Sequence, residues 1–369
     1  MTRVFIFGTL LHAPLRAAVA GSELPTRPAR LVGHTVHWAA DESYPVLVPG
    51  AGVAEGAVLD VGGAALDRLN FYEAAFDYHP TQVTVETDQG PETARLWAPP
   101  SLPQIGGPWS LADWAPKFGR LNVLAASEVM RLQGRMAPGQ VGRIYPQIAA
   151  RAMGRVIAAG MPRRPGLGPL PEAPAKVVDQ RIPYVNFFAI EEYDLAFPRF
   201  DGSHSPVVTR AVFAATDAAL ILPYDPVRDR VLLVEQFRAG PFGRQDKDLW
   251  VIETIAGRVD AGEAPEDAAR REAQEEAGLT VARLETIGTG YPSPGASTEF
   301  YHMYLGLTDL PDSAAGMGGL DTEEEDIRSR VMSFDEAIAL CDADGIAAVP
   351  TVLMLNWLAR HRDRLRAAA

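Results

Sequence analysis

The chain has 369 residues, enough for two domains, and its 47% hydrophobic and 22% charged residues are those of an ordinary globular protein. Its net charge of −13 disfavours a broad nucleic-acid or anionic-membrane surface, so a phosphorylated ligand has to be held by local arginines and a cation. The single cysteine, Cys341, excludes an internal disulfide and fits a reducing, cytoplasmic setting. No apolar run reaches membrane-spanning length, and the start MTRVFIFGTLL lacks the basic region and cleavage site of a signal peptide.

Three zones follow in chain order. Residues 1–115 alternate short β-like runs with turns (RVFIFG, HTVHWAA, GAVLDV, TQVTVET, ARLWAP) around one helical segment, AALDRLNFYEAA, an α+β pattern. Residues 116–179 begin helix-prone, with LNVLAASEVMRLQ and VGRIYPQIAARAMGRVIAAG, the latter broken at Pro146. They continue as MPRRPGLGPLPEAPAKV, the composition of a linker or an extended strap. Residues 180–369 return to strands: NFFAIEEYDLAF, VVTRAVFAA, AALILPYD, RVLLVEQF, LWVIETIA and, later, YHMYLGL. Two helices, SFDEAIALCDADG and PTVLMLNWLARHRDRLRAA, end this zone, and Cys341 falls on the first as a buried structural thiol.

Within the third zone, residues 257–279 read GRVDAGEAPEDAARREAQEEAGL. Gly257, Glu263, Arg271, Glu272, Glu275, Glu276 and Gly278 stand at fixed spacings, with the apolar Ala273 and Leu279 between and after them. Glu272, Glu275 and Glu276 are i, i+3 and i+4, positions that share one helix face. Three carboxylates so close repel one another unless a cation sits among them, and hard oxygen ligands suit Mg²⁺ or Mn²⁺. Pro265 is expected in the first helical turn and Gly278 just past the helix end, with Gly257 giving a tight loop turn before it. Arg271 is expected to pair with an internal acid, Glu263, and Glu253 to be a strand-end acid near the metal.

This stretch resembles the signature of the Nudix hydrolases. DGSHSPVVTRAVF, LPYDPVRDRVLLVEQFRAG, LWVIETIAGRVDAGE, YPSPGASTEFYHMYLG and EEEDIRSRVMSFDEA are similar to the ADP-ribose pyrophosphatase branch of that family, over roughly half the chain. The resemblance implies a Nudix α/β/α sandwich of mixed sheet over 180–369, and metal-dependent hydrolysis of ADP-ribose, or a related nucleoside diphosphate sugar, to AMP and ribose 5-phosphate. It implies metal ligands at the carbonyl of Ala256 and at Glu272, Glu276 and Glu325, with Glu275 auxiliary. Glu276 and Glu323 are the implied catalytic acids, Glu323 as the base that takes a proton from water; Glu324 is the alternative base. Arg210 and Arg238 are matched to positions that hold phosphates or the terminal ribose, and Glu299 to one near that ribose. Pro294, 16 residues after Gly278, matches the proline that accompanies ADP-sugar preference. The relatives' pattern also implies a homodimer, with residues 183–212 crossing to the partner.

The first zone resembles the γ-glutamylcyclotransferase-like (AIG2-like) family through VFIFGTLL, ESYPVLVPG, VAEGAVLDV and LDRLNFYEAAFDYHPTQVTV. That resemblance implies a β-barrel with helices over 1–115. It implies a carboxylate-binding turn at Phe7-Gly8-Thr9-Leu10 and a catalytic acid at Glu73 that takes a proton from a glutamyl amine, which then closes to 5-oxoproline. Ala74 stands where the family has glycine, and Phe7 where it has tyrosine. The expected fold class is therefore two-domain, α+β then α/β. The expected partners are a small nucleoside diphosphate sugar and a second copy of the chain, with neither nucleic acid nor membrane. Two other readings stay open: a sensor that binds such a ligand without turnover, and a protein whose main activity is γ-glutamyl amine cyclisation in the first zone.

Overall fold

The computed structural model describes residues 1–168, 170–171, 173–319 and 325–369. The chain forms two compact units, residues 1–167 with 185–187, and residues 168–184 with 188–369. The first contains strands β1 (Thr2–Ile6), β2 (Arg27–Ala39), β3 (Pro45–Val61), β4 (His79–Thr87), β5 (Gly90–Ala98) and β6 (Ile105–Pro108). They run in the order β3-β1-β5-β4-β2-β6, and β2 also pairs with β3, so five strands close into a barrel and β6 extends one edge. The short runs HTVHWAA and GAVLDV prove to be the ends of one long hairpin. A bulge between Val32 and His34 lets its two strands keep pairing past Gly33.

Strand β1 is buried on both faces, in keeping with its unbroken apolar run. Phe5 points into the barrel with Leu31, Val58, Val85 and Leu96, whereas Val4 and Ile6 face a helical layer. That layer contains α1 (Ala13–Ala20), α2 (Gly63–Ala75), α3 (Leu111–Trp114), α4 (Arg120–Arg131), α5 (Pro138–Arg143) and α6 (Tyr145–Gly160). Leu15, Leu69, Trp114, Ala125, Val129 and Ile148 share one core with Val4 and Leu59, so the helices after residue 115 pack on the barrel. Pro146 stands in the first turn of α6, where its missing N–H costs nothing. A buried ion pair, Arg151 with Glu128 at 2.5 Å, links α6 to α4, and Arg151 also donates to the carbonyl of Phe187 at 3.3 Å.

The second unit contains β7 (Lys176–Val185), β8 (Ala189–Ala196), β9 (Val208–Ala214), β10 (Asp217–Asp225), β11 (Arg230–Phe237), β12 (Trp250–Glu253), β13 (Ile255–Arg258), β14 (Arg283–Gly290), β15 (Phe300–Leu307), β16 (Gly316–Gly318) and β17 (Ile327–Ser333). Its helices are α7 (Ala239–Arg244), α8 (Pro265–Ala277), α9 (Phe334–Asp342) and α10 (Val349–Ala367). The main sheet has the order β14-β15-β10-β11-β17-β16, with β12 paired to β11 and β13 to β10. It is mixed, since β10 and β15 run parallel while the other pairs are antiparallel. Leu220, Leu222 and Tyr224 of β10 pack with Phe334, Met354 and Leu358 of α9 and α10. The alternate residues Ala219 and Ile221 are buried toward the other face, where α8 packs on β10 and β13. Strands β7, β8 and β9 form a separate three-stranded sheet. Among the described residues, no helix is long and apolar enough to cross a membrane.

Candidate active sites

Helix α8 carries the acidic face. Pro265 occupies its first turn, Glu266 and Asp267 complement the positive end of its dipole, and Gly278 ends it in the left-handed conformation at φ 63°. Gly257 does not form the expected tight turn; it lies within β13, paired to Ala219 of β10. Its missing side chain has another use. A Cβ there would stand 1.8 Å from Oε1 of Glu272, so glycine is what lets that carboxylate lie against β13 beside Ala256. Gly257→Ala is accordingly expected to displace Glu272, lowering Mn²⁺ affinity about tenfold or more while the metal-free melting temperature changes little, because a flexible side chain rather than backbone must move. Calorimetric titration with Mn²⁺ and thermal melting check the two halves.

Arg271 holds the outer side of this face. It bonds Glu263 at 3.0 and 3.1 Å, as expected, and also Glu272 at 2.6 Å, Glu275 at 3.0 Å and the carbonyl of Arg258 at 3.0 Å. Glu276 points inward at 2% exposure, and its Oε2 is buried without a hydrogen-bond partner among the described residues. Burial, reinforced by the Glu272 and Glu325 carboxylates, pushes its pKa up to about 9; burial, opposed by Arg271, pushes Glu272 up to about 7. Glu325 approaches these two from the start of β17, packed at Gly319, while β16 closes on the end of α8 at Gly318. Glu323 and its alternative Glu324 lie outside the described residues.

Around this face the strand ends converge. Arg238, where β11 passes into α7, bonds Glu253 at the end of β12 at 2.7 Å and faces Glu276 and Glu299 electrostatically. Burial raises the pKa of both Glu253 and Glu299, and the Tyr301 hydroxyl bonds Glu299. The sequence reading missed Tyr301, although it sits two residues after Glu299, on the same face of the strand. Pro294 is exposed in the loop before β15, and that loop is fastened to the end of β9 by Phe213 N–H to Ala296 at 2.8 Å and Thr298 N–H to Phe213 at 3.0 Å. Arg210 is elsewhere: it is exposed on β9 of the separate sheet, donating to the carbonyl of Thr209. Asp326, next to Glu325, lines a cavity of about 380 Å³ with Glu235, Trp250, Met317 and Arg328.

The donor set fits a hard divalent cation. It offers carboxylate oxygens, one of them, at Glu276, buried without a partner among the described residues, and a glycine cradle that seats Glu272. Among the described residues, no three acidic, histidine or cysteine side chains stand as a closed ligand cluster, and Arg271 pairs with Glu272 and Glu275.

The first unit has its own site. Gly8, Thr9 and Leu10 follow β1 in a turn, and Gly8 packs so closely on Pro45 that a Cβ would lie 2.8 Å from its ring. Glu73, in the last turn of α2, shares with this turn a cavity of about 680 Å³, walled also by Tyr44, Tyr72 and Tyr78. Burial pushes the Glu73 carboxyl up to about 8. The sequence reading did not find Asn122, Arg143 and Tyr145, which line the same cavity from α4, α5 and α6.

A mixed sheet with an acidic helix of this register defines the class: a Nudix-type fold, joined in sequence to a barrel whose helical layer carries a half-buried acid, Glu73. The NUDIX domain model matches residues 215–350, and the model "Gamma-glutamyl cyclotransferase, AIG2-like" matches residues 4–115. The ADP-ribose pyrophosphatase of Escherichia coli (strain K12) is 36% identical over 191 residues, 52% of this chain and 90% of that protein. The ADP-ribose pyrophosphatase of Haemophilus influenzae is 35% identical over 197 residues, 52% of this chain and 88% of that protein. The GDP-mannose pyrophosphatase of Salmonella arizonae is 36% identical over 149 residues, 40% of this chain and 76% of that protein. The chain belongs to the Nudix hydrolase family, with an AIG2-like γ-glutamyl cyclotransferase domain at its N-terminal end.

Proposed function

We propose that the second unit hydrolyses the pyrophosphate of ADP-ribose, or of a related nucleoside diphosphate sugar, using Mg²⁺ or Mn²⁺. The observation that carries this reading is the buried oxygen of Glu276, without a hydrogen-bond partner among the described residues, on a helix of the Nudix register and in the field of the Glu272 and Glu325 carboxylates. When bound at Ala256, Glu272, Glu275, Glu276 and Glu325, the cation supplies Lewis acidity that neutralises charge on the phosphates. The chain's own residues do the rest. Arg238 holds a phosphate with its planar guanidinium, and Glu299 accepts hydrogen bonds from ribose hydroxyls. Glu323, or Glu324, takes the proton from the attacking water. Pro294 shapes the loop that sets the sugar preference. The relatives named for ADP-ribose and for GDP-mannose make these the two substrates to compare first. Incubation with each, followed by mass spectrometry, tests the reading: AMP and ribose 5-phosphate are expected from ADP-ribose.

Arg210, on the separate sheet, joins the site by being delivered to a partner. The sheet that carries it supports assembly of two copies. Val177 and Val178 are neighbours on opposite pleat faces of the edge strand β7, yet both are exposed, at 53% and 60%. Light scattering is expected to give twice the chain mass of 39.8 kDa. Val178→Asp is expected to shift the particle toward the single-chain mass.

A second reading is favoured for the first unit by the Glu73 cavity. There Glu73 takes a proton from the α-ammonium of a γ-glutamyl compound. The freed amine attacks the side-chain carbonyl carbon and the ring N–C bond of 5-oxoproline forms; as the bond to the leaving amine breaks, that amine takes the second proton of the ring nitrogen and the proton held by Glu73, and departs as an ammonium.

A further inference from the structure

We propose that the helices beyond the matched cyclotransferase segment complete the first unit's cavity, and that Arg143 selects γ-glutamyl conjugates whose leaving amine bears a carboxylate. The inference rests on the cyclotransferase reading of Glu73.

The cyclotransferase model ends at residue 115, but the cavity does not. Asn122, Gly139, Gly142, Arg143 and Tyr145 all line it from α4, α5 and α6. These contacts are built in. A Cβ on Gly142 would lie 2.0 Å from the carbonyl oxygen of Ala75, so glycine is required for α5 to press against the end of α2, two residues past Glu73. Arg143 follows directly and is thereby fixed on the cavity wall. Tyr145 sets its ring edge on Phe76 at 4.7 Å and 88°, and its hydroxyl reaches Asn122 at 3.5 Å.

At about 680 Å³, the cavity falls in the range of sites that enclose a drug-sized ligand, of order 300–1,000 Å³, more room than a glutamyl group alone fills. The surplus has a definite chemistry. Phe76, Trp97 and Tyr145 offer aromatic walls, and Arg143 is the only basic side chain among the described lining residues, beside the acids Glu42, Glu73 and Asp77. Its guanidinium is exposed, and no acidic side chain among the described residues pairs with it. An arginine without an acidic partner among the described residues, lining the same cavity as the acid that meets the ammonium, favours a ligand that carries an anion apart from its cation. A γ-glutamyl amino acid with an apolar side chain has that form: its α-ammonium goes to Glu73, its apolar body to the aromatic wall, and its terminal carboxylate to Arg143 in a charge-assisted pair.

The test uses the full chain and two probes, γ-glutamyl-phenylalanine and γ-glutamyl-phenethylamine, which differ only in the carboxylate. Release of 5-oxoproline is expected to favour the first by about tenfold or more in kcat/KM, the scale of one hydrogen-bonded charge pair. Arg143→Gln is expected to bring the ratio close to one, and Arg143→Lys to retain part of it. A ratio that Arg143→Gln leaves unchanged overturns the inference. Binding of both probes to Glu73→Gln, followed by calorimetry with and without Arg143→Gln, separates the two claims. Arg143-dependent preference for the carboxylate without turnover by the unmodified chain removes the cyclotransferase reading and upholds the role of Arg143. Binding of neither probe overturns both.

Discussion

Glu276→Gln is expected to abolish pyrophosphate hydrolysis, lowering kcat by about three orders of magnitude or more, and at the same time to stabilise the metal-free protein. The first effect follows from removing a charged donor at the centre of the cation site. The second follows from burial. The folded protein holds the Glu276 proton up to about pH 9, whereas an unfolded glutamate releases it near its ordinary value of 4.5. In that window the native state binds more protons than the unfolded state, so this group's contribution to stability is greatest below 4.5 and falls as pH rises toward 9. At pH 7 the cost is on the order of 3 kcal/mol, which glutamine removes. Melting of the metal-free pair is expected to show the variant more stable at pH 8, with the difference closing toward pH 5. With saturating Mg²⁺ the order reverses, because the cation binds only the unmodified native state tightly. Equal melting at all pH values without metal contradicts the assignment of Glu276 as the buried, partnerless acid.

Glu73→Gln is expected to abolish 5-oxoproline release, by about three orders of magnitude, and to leave pyrophosphate hydrolysis intact. Glutamine keeps the size of the side chain and loses only the ability to take the proton. The pH profile is the sharper measurement. With the carboxyl pushed up to about 8, the base form is scarce at pH 6, and kcat/KM rises about tenfold per pH unit before levelling above 8. An acid with an ordinary pKa gives a flat profile over the same range. If Glu73→Gln retains release of 5-oxoproline, another group is the base, and the turn at Gly8 and Thr9 loses its assigned partner.

The acidic face was legible because its information is local. Glu272, Glu275 and Glu276 share a helix face by spacing alone, and Pro265 and Gly278 mark that helix's ends. The pairing of Arg271 with Glu263 was legible for the same reason. What escaped the sequence depends on tertiary approach. Gly257 reads as a turn residue in any local context; its use as a seat for Glu272 exists only once α8 lies on β13. The apolar faces of LNVLAASEVMRLQ and VGRIYPQIAARAMGRVIAAG mark amphipathic helices, but periodicity does not say which core receives them. Leu121, Val129 and Ile148 answer that by packing with Val4 and Leu59 of the barrel. Arg143 and Tyr145 reach the Glu73 cavity only through that packing. Arg210 shows a different limit: a motif match gives a residue type at a position but not the sheet that carries it, and Arg210 stands on β9 of the separate sheet.

The most direct measurement is product identification after incubating the full-length chain and its Glu276→Gln variant with Mg²⁺ and ADP-ribose. The account predicts AMP and ribose 5-phosphate from the unmodified chain and neither from the variant. Intact ADP-ribose with both, or equal turnover by both, with the protein folded and metal-loaded, contradicts it.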